Sequence, residues 1–167
     1  DELAYVRSLR YIKSDFVDFL RIFRLQRDFI RAWAEGETLH IVAEGPQVHV
    51  MFFEIHVLAI VHELYSRRLA TAGTLAEGRR RLAAKIERLR SFTTESPLRH
   101  PFELFDFGVR RRFSGAWQRE VVSAFQASLP DHFKGTSNVL LARDLGLVPI
   151  GTMAHEYLQT YQALGYR

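Results

Sequence analysis

Cysteine is absent from the 167 residues, which excludes disulfides and thiolate metal sites and fits a reducing compartment. Long apolar runs are absent as well. The most apolar stretch, Val48 to Val61, is interrupted by His49, Glu54 and His56, too short and too polar to span a bilayer. No signal-peptide pattern, internal repeat or low-complexity tract is present. His49, His56 and His62 fall close together, but neither gap is the i, i+4 spacing of a helical zinc site, and His62-Glu63 lacks the second histidine of that motif. No metal-ligand cluster is expected.

What is present is ordinary for a globular chain: 47% hydrophobic and 25% charged residues, enough for one domain with a sizeable core. The net charge is +4 and the pI near 9.7, carried mostly by arginine. Such an excess suits phosphate-bearing partners, nucleic acid or small phosphorylated ligands. Against nucleic acid, the aromatics (13% of residues) fall mostly on expected core faces and do not alternate with the arginines as a stacking platform would.

Residues 1–100 read as a mixed α+β portion. Ser14 and Asp15 are placed to cap a helix through Phe16, Phe19, Leu20 and Phe23. Glu35-Gly36-Glu37 reads as a hairpin turn between Ala32–Ala34 and Leu39–Ala43. Gly45-Pro46 breaks the chain; Val48 to Phe53 is expected as a buried strand, followed by a helix through Val57, Ile60, Val61 and Leu64. Thr74-Leu75-Ala76-Glu77 has the form of a capping box ahead of a helix with Leu75, Leu82, Ile86 and Leu89 on one face. Arg79 to Arg81 then form a solvated face.

Residues 101–167 change rhythm. Strand Phe102–Phe107, helix from Ser114 to about Ser128, strand at His132-Phe133 ending by Gly135, helix Asn138–Leu145 stopped by Gly146, strand Val148–Ile150, and helix Glu156–Leu164 make three β-α units. Repeated β-α units form a parallel sheet or barrel, and the loops leaving the strands' C-terminal ends carry the site. A complete eight-fold barrel takes about 250 residues. The expected fold is therefore an α+β portion followed by the first three units of an incomplete, TIM-like α/β barrel.

Those loops hold the candidate residues. After the first strand stand Phe107, Gly108 and the triplet Arg110, Arg111 and Arg112, whose guanidinium groups suit phosphate or carboxylate. After the second stand Gly135, Thr136 and Ser137, which offer donors at a helix entrance or simply cap it. After the third stand Thr152 and His155, the latter a potential acid, base or nucleophile. Parallel topology would bring all three to one rim.

Three of these segments, Phe105-Asp106-Phe107-Gly108-Val109-Arg110-Arg111-Arg112-Phe113-Ser114, Gly135-Thr136-Ser137-Asn138 and Pro149-Ile150-Gly151-Thr152-Met153-Ala154-His155-Glu156, resemble the nicotinate phosphoribosyltransferase family in order and spacing. The stretch from Gly45-Pro46 through Tyr65 resembles its segment ahead of the barrel. The resemblance implies a cytoplasmic ligase or glycosyltransferase of NAD salvage. Such an enzyme joins nicotinate to 5-phosphoribosyl 1-pyrophosphate and couples ATP hydrolysis, with Mg²⁺, through phosphorylation of His155. It implies that Arg110 contacts phosphate or carboxylate, with Arg111 and Arg112 beside it. Phe107 would stack on the pyridine ring, Thr152 would lie near the base, and Ser137 would select nicotinate over nicotinamide. It also implies a homodimer with shared active sites and no membrane or nucleic-acid partner. The family's N-terminal tyrosine segment and its ribose-phosphate strands are not among these residues, so the expectation is an internal piece without turnover of its own. A related alternative is quinolinate phosphoribosyltransferase, disfavoured by the histidine element; an unrelated one is a basic nucleic-acid-binding module.

Overall fold

The computed structural model of the chain describes residues 2–94, 100–151 and 155–165. Its elements run α1 (Glu2–Ser8), α2 (Ser14–Ile22), a 3₁₀ turn (Arg27–Phe29), β1 (Ile30–Glu35), β2 (Thr38–Ala43), α3 (Gln47–Leu69) and α4 (Thr74–Thr94). They continue with β3 (Leu104–Asp106), α5 (Gly115–Ser128), β4 (Phe133–Thr136), α6 (Val139–Leu145), β5 (Val148–Pro149) and α7 (His155–Ala163). These form two compact units, one of Asp1–Leu58 with Gly151–Arg167 and one of Ala59–Ile150.

In the first unit the expected hairpin is present: β1 and β2 pair antiparallel, closing at Glu35↔Thr38. Helix α2 begins where expected, but Lys13 occupies the N-cap position without a side-chain cap bond, and Asp15 instead accepts from its neighbour Phe16 N–H at 2.8 Å. Leu9, Val17 and Phe53 are its buried apolar side chains, and half-buried aromatics cluster beside them. Phe23 lies against Phe52 and His49 with centroids 5.1 and 4.9 Å apart, and Phe29 meets His49 from 4.7 Å.

The expected strand at Val48–Phe53 is not formed. Those residues are the first turns of α3, a single 23-residue helix. A short apolar run looks alike as a buried strand or a helix turn. Gly45-Pro46 opens the helix, with His49 and Val50 N–H donating to the Pro46 carbonyl, and no second break follows before Leu69 that would let a strand turn into a helix. By length and composition α3 could also cross a bilayer, which the shorter window Val48–Val61 did not indicate. Core helices of water-soluble proteins meet the same condition.

In the second unit Ile86, Val122, Phe125, Leu129, Phe133 and Leu141 form the core, with Leu82 and Leu89 of α4 packed against it. Leu75, expected on the same face, is exposed. The capping box does not close: the Thr74 hydroxyl accepts from Thr71 N–H at 2.8 Å, while Glu77 holds Arg80 and Arg81.

The later elements follow expectation closely. β3, β4 and β5 form a parallel sheet in that order, with α5 and α6 as the crossovers. Ser114 caps α5, its hydroxyl accepting from Trp117 N–H at 3.0 Å, and Gly146 ends α6 in the left-handed conformation at φ 65°. The described residues hold no closed barrel; the sheet is open and three-stranded. Pro149 lies on the edge strand β5, where a missing N–H costs no ladder bond.

Candidate active site

Parallel pairing puts the C-terminal ends of β3 and β4 side by side. The register ends at Asp106↔Thr136, and the next residue along, Ser137, donates its N–H to the Asp106 carbonyl at 2.8 Å. On the other side Ile150 N–H donates to the Thr136 carbonyl at 2.9 Å, so β4 runs between both neighbours to its last residue. Gly135 permits this closeness: a β-carbon there would collide with the Val148 carbonyl oxygen.

Below the two loops lies a polar network. Asp106 Oδ1 accepts from Gly108 N–H at 3.1 Å. Its Oδ2 accepts from the Gln118 amide at 2.7 Å and the Thr136 hydroxyl at 2.6 Å. The Gln118 carbonyl in turn accepts from Arg112 Nη1 at 3.0 Å and Asn138 Nδ2 at 3.1 Å. Gln118 and Thr136 are 3% and 0% exposed; buried polar groups of this kind need such partners to be tolerated.

The arginine triplet is split by this arrangement. Arg110 and Arg111 are exposed, and Arg112 is half-buried, bound to Gln118 and beside Glu63. Phe107 presents half of its surface to solvent, 51%. Ser137 is half-buried at the β4 end. The Thr136 hydroxyl is engaged in both senses, donating to Asp106 and accepting from Asn138 N–H at 3.0 Å.

A cleft of about 290 Å³ adjoins Arg112, lined also by Ala59, Ile60, Glu63, Leu64 and Arg67. Glu63 accepts from Gly115 N–H at 3.1 Å and from Arg67 at 2.6 Å. The Gly115 bond first, then Arg67 and nearby Arg112, hold its carboxyl below the ordinary range. No group of three or more His, Asp or Glu able to hold a metal occurs among the described residues.

His155 opens α7 in the first unit and is exposed. Thr152 lies outside the described residues. The structure therefore brings Phe107, the arginine loop and Ser137 to a common sheet edge.

Asp106, Gln118 and Asn138 were not among the sequence candidates. One signal for Gln118 was available: it shares a helical stripe with Val122, Phe125 and Leu129 of the core, where an apolar residue is the norm.

Comparison with known proteins bears on this edge directly. A sequence model described as the nicotinate phosphoribosyltransferase (NAPRTase) family matches residues 102–167, and one described as the N-terminal domain of the same family matches residues 1–62. The chain belongs to the nicotinate phosphoribosyltransferase family. Curated nicotinate phosphoribosyltransferases from Herminiimonas arsenicoxydans and Chromobacterium violaceum are 60% and 56% identical across the whole chain, which spans 42% of each. The crystal structure of nicotinate phosphoribosyltransferase from Vibrio cholerae superposes with TM-score 0.76 at 31% identity, covering 97% of this chain and 39% of that one. The corresponding Porphyromonas gingivalis structure gives 0.77 at 28%, covering 99% and 39%. The nicotinate phosphoribosyltransferase match at 102–167 contains every candidate site residue.

Proposed function

We propose that this chain is part of an enzyme that transfers the phosphoribosyl group of 5-phosphoribosyl 1-pyrophosphate to nicotinate. The nicotinate ring nitrogen forms a bond to the anomeric carbon as the bond to pyrophosphate breaks, and pyrophosphate leaves with the electron pair. The products are nicotinate mononucleotide and pyrophosphate. The observation that carries the reading is the Ser137 N–H to Asp106 carbonyl bond of 2.8 Å, which sets the arginine loop and the serine loop next to each other at one strand edge.

Roles follow from side-chain chemistry. Phe107, half exposed beside Gly108, offers a flat apolar face to the pyridine ring. Arg110 and Arg111 meet phosphate or carboxylate at the rim, while Arg112 is engaged below it with Gln118. The Ser137 hydroxyl can donate to the nicotinate carboxylate, which an aspartate would repel. His155, exposed at the start of α7, takes the γ-phosphoryl group of ATP on a ring nitrogen as the bond to the β-phosphate breaks and ADP leaves, and then gives it to water, releasing inorganic phosphate and the free imidazole. The helix dipole at the start of α7 favours the added charge. Mg²⁺ is expected to enter with the phosphates of the substrates. The three-stranded sheet is then the start of an α/β barrel completed by polypeptide beyond these residues.

Because the chain spans 42% of its curated relatives, the test uses a graft in which these 167 residues replace the matching segment of the Herminiimonas enzyme. The graft is expected to form nicotinate mononucleotide and to acquire acid-labile label at His155 from γ-³²P-ATP, lost in His155→Ala. The 167-residue chain alone is expected to be inactive. Ser137→Asp in the graft should lower kcat/KM for nicotinate on the order of 100-fold. Unchanged kcat/KM would remove Ser137 from the nicotinate site, and a graft without nicotinate mononucleotide would refute the activity.

A further inference from the structure

The hydrogen bonds beneath the two loops have a direction. Arg112 can only donate, and it donates to the Gln118 carbonyl at 3.0 Å. The Asn138 carbonyl is taken by Leu141 N–H at 3.2 Å, which turns its NH₂ toward the same Gln118 carbonyl at 3.1 Å. Gln118 must therefore present its NH₂ to Asp106, 2.7 Å away. The Thr136 hydroxyl accepts from Asn138 N–H at 3.0 Å and so directs its own hydrogen to Asp106 at 2.6 Å. Gly108 N–H, at the root of the arginine loop, completes the set at 3.1 Å. Each of these donor chains ends on a single carboxylate.

We propose that Asp106 is a positioning residue of the phosphoribosyl transfer: through Gly108, Gln118 and Thr136 it holds the arginine loop and the serine loop in the relative geometry the reaction needs. It does so without touching substrate. The inference rests on the activity proposed above, and goes beyond it by assigning the control of loop geometry to one acceptor-only group. Two of its partners, Gln118 and Thr136, are buried, so solvent is poorly placed to replace a lost bond.

Asp106→Asn tests the claim with almost no change of shape. An introduced NH₂ facing Gln118 and Thr136 opposes donors. Flipping the Gln118 amide to meet it moves the conflict to Arg112 and Asn138. Placing the NH₂ on the other side opposes Gly108 N–H. No arrangement satisfies all partners. Adding Gln118→Glu removes the conflict at Gln118: the new carboxylate accepts from the introduced amide and still accepts from Arg112 and Asn138, with total charge preserved, and only the Thr136 hydroxyl hydrogen is left to turn elsewhere.

In the full-length graft, Asp106→Asn is expected to lower kcat/KM for nicotinate about 10- to 100-fold, mainly in kcat, as misplacement of bound groups does. Gln118→Glu alone sets two carboxylates together and should also lose activity. The double variant is expected to recover about tenfold over Asp106→Asn. Melting temperatures of all variants separate folding from positioning. Kinetics within twofold of wild type in a folded Asp106→Asn, or a double variant no better than its worse parent, would overturn the proposal. If Asp106→Asn does not fold, Thr136→Val decides. It removes one donor from the same oxygen, and a folded variant with wild-type kcat rejects the positioning role, whereas a kcat loss of about fivefold or more supports it. An inactive wild-type graft rejects the activity and this role together; an active graft indifferent to these changes rejects only the role.

Discussion

Glu77 shows how exposed charge is arranged on this protein. Its carboxylate accepts from Arg80 and Arg81, three and four residues along α4, at 2.7 Å each. These bonds, Arg80 first, bring its pKa down to about 2. Glu120 beside Arg79, Asp144 beside Arg119 and Glu63 beneath Gly115 are lowered as well. A carboxyl with a lowered folded-state pKa contributes stability above its ordinary pKa, about 4.5 for the glutamates and 3.8 for Asp144, and loses it as pH falls toward the folded value. Melting temperature should therefore be flat near neutrality and drop as pH falls from about 4.5 toward 2. In Glu77→Gln the acid drop should shrink, while the melting temperature at pH 7 changes by about 4 °C or less because the pairs are solvent-exposed. A Glu77 carboxyl titrating near 4.5 by NMR would contradict this account. The Arg79–Arg81 triplet is thus a solvated, carboxylate-paired face, as its place inside a charged helix suggested.

At the scale of elements, β4 and α6 matter most to the site. β4 is the central strand, and Gly135 is its tightest point. Gly135→Ala would drive a methyl group into the Val148 carbonyl, costing about 3 kcal/mol in urea unfolding and separating β4 from β5. A cost below about 1 kcal/mol would show that β5 yields easily. Asn138 has two functions that substitution can separate, capping α6 through its carbonyl and donating to Gln118 through its NH₂. Asn138→Ala removes both and should cost about 2 kcal/mol. Asn138→Asp keeps the cap and should cost less. Equal unfolding free energies for the two variants would mean that the cap is no stronger than the repulsion between the introduced carboxylate and the Gln118 carbonyl. The misread element, α3, has a physical explanation at the same scale: within Val48–Phe53 nearly every side chain is apolar, so neither period 2 nor period 3.6 stands out.

Across the whole molecule, several large apolar side chains remain exposed, among them Ile22, Leu64, Tyr65, Leu69 and Leu164. The chain spans 42% of its curated relatives, and these groups would be covered only by further polypeptide or by other copies. In isolation at tens of micromolar, the 167-residue chain is expected to sediment above its 19.4 kDa monomer mass and to bind ANS, as exposed apolar surface does. A monodisperse monomer without ANS binding would show that this surface is too scattered to drive association.

The amino-acid sequence by itself determined the parallel β-α run after residue 100, the β1–β2 hairpin and the family. Each depends on local marks: Gly36, Gly108, Ser114 and Gly146 at turns and caps, apolar periodicity between them, and three short motifs in fixed order. Tertiary structure alone decided which polar groups of the motifs, with Gln118 from outside them, meet beneath the loops. Asp106, Gln118, Thr136 and Asn138 come from β3, α5, β4 and the entry to α6, as much as 32 residues apart by their numbers. Only parallel pairing of β3 with β4, and packing of α5 against them, bring these groups within hydrogen-bonding distance. Local spacing carries no trace of such a meeting, because burial sets both the need for a partner and its identity.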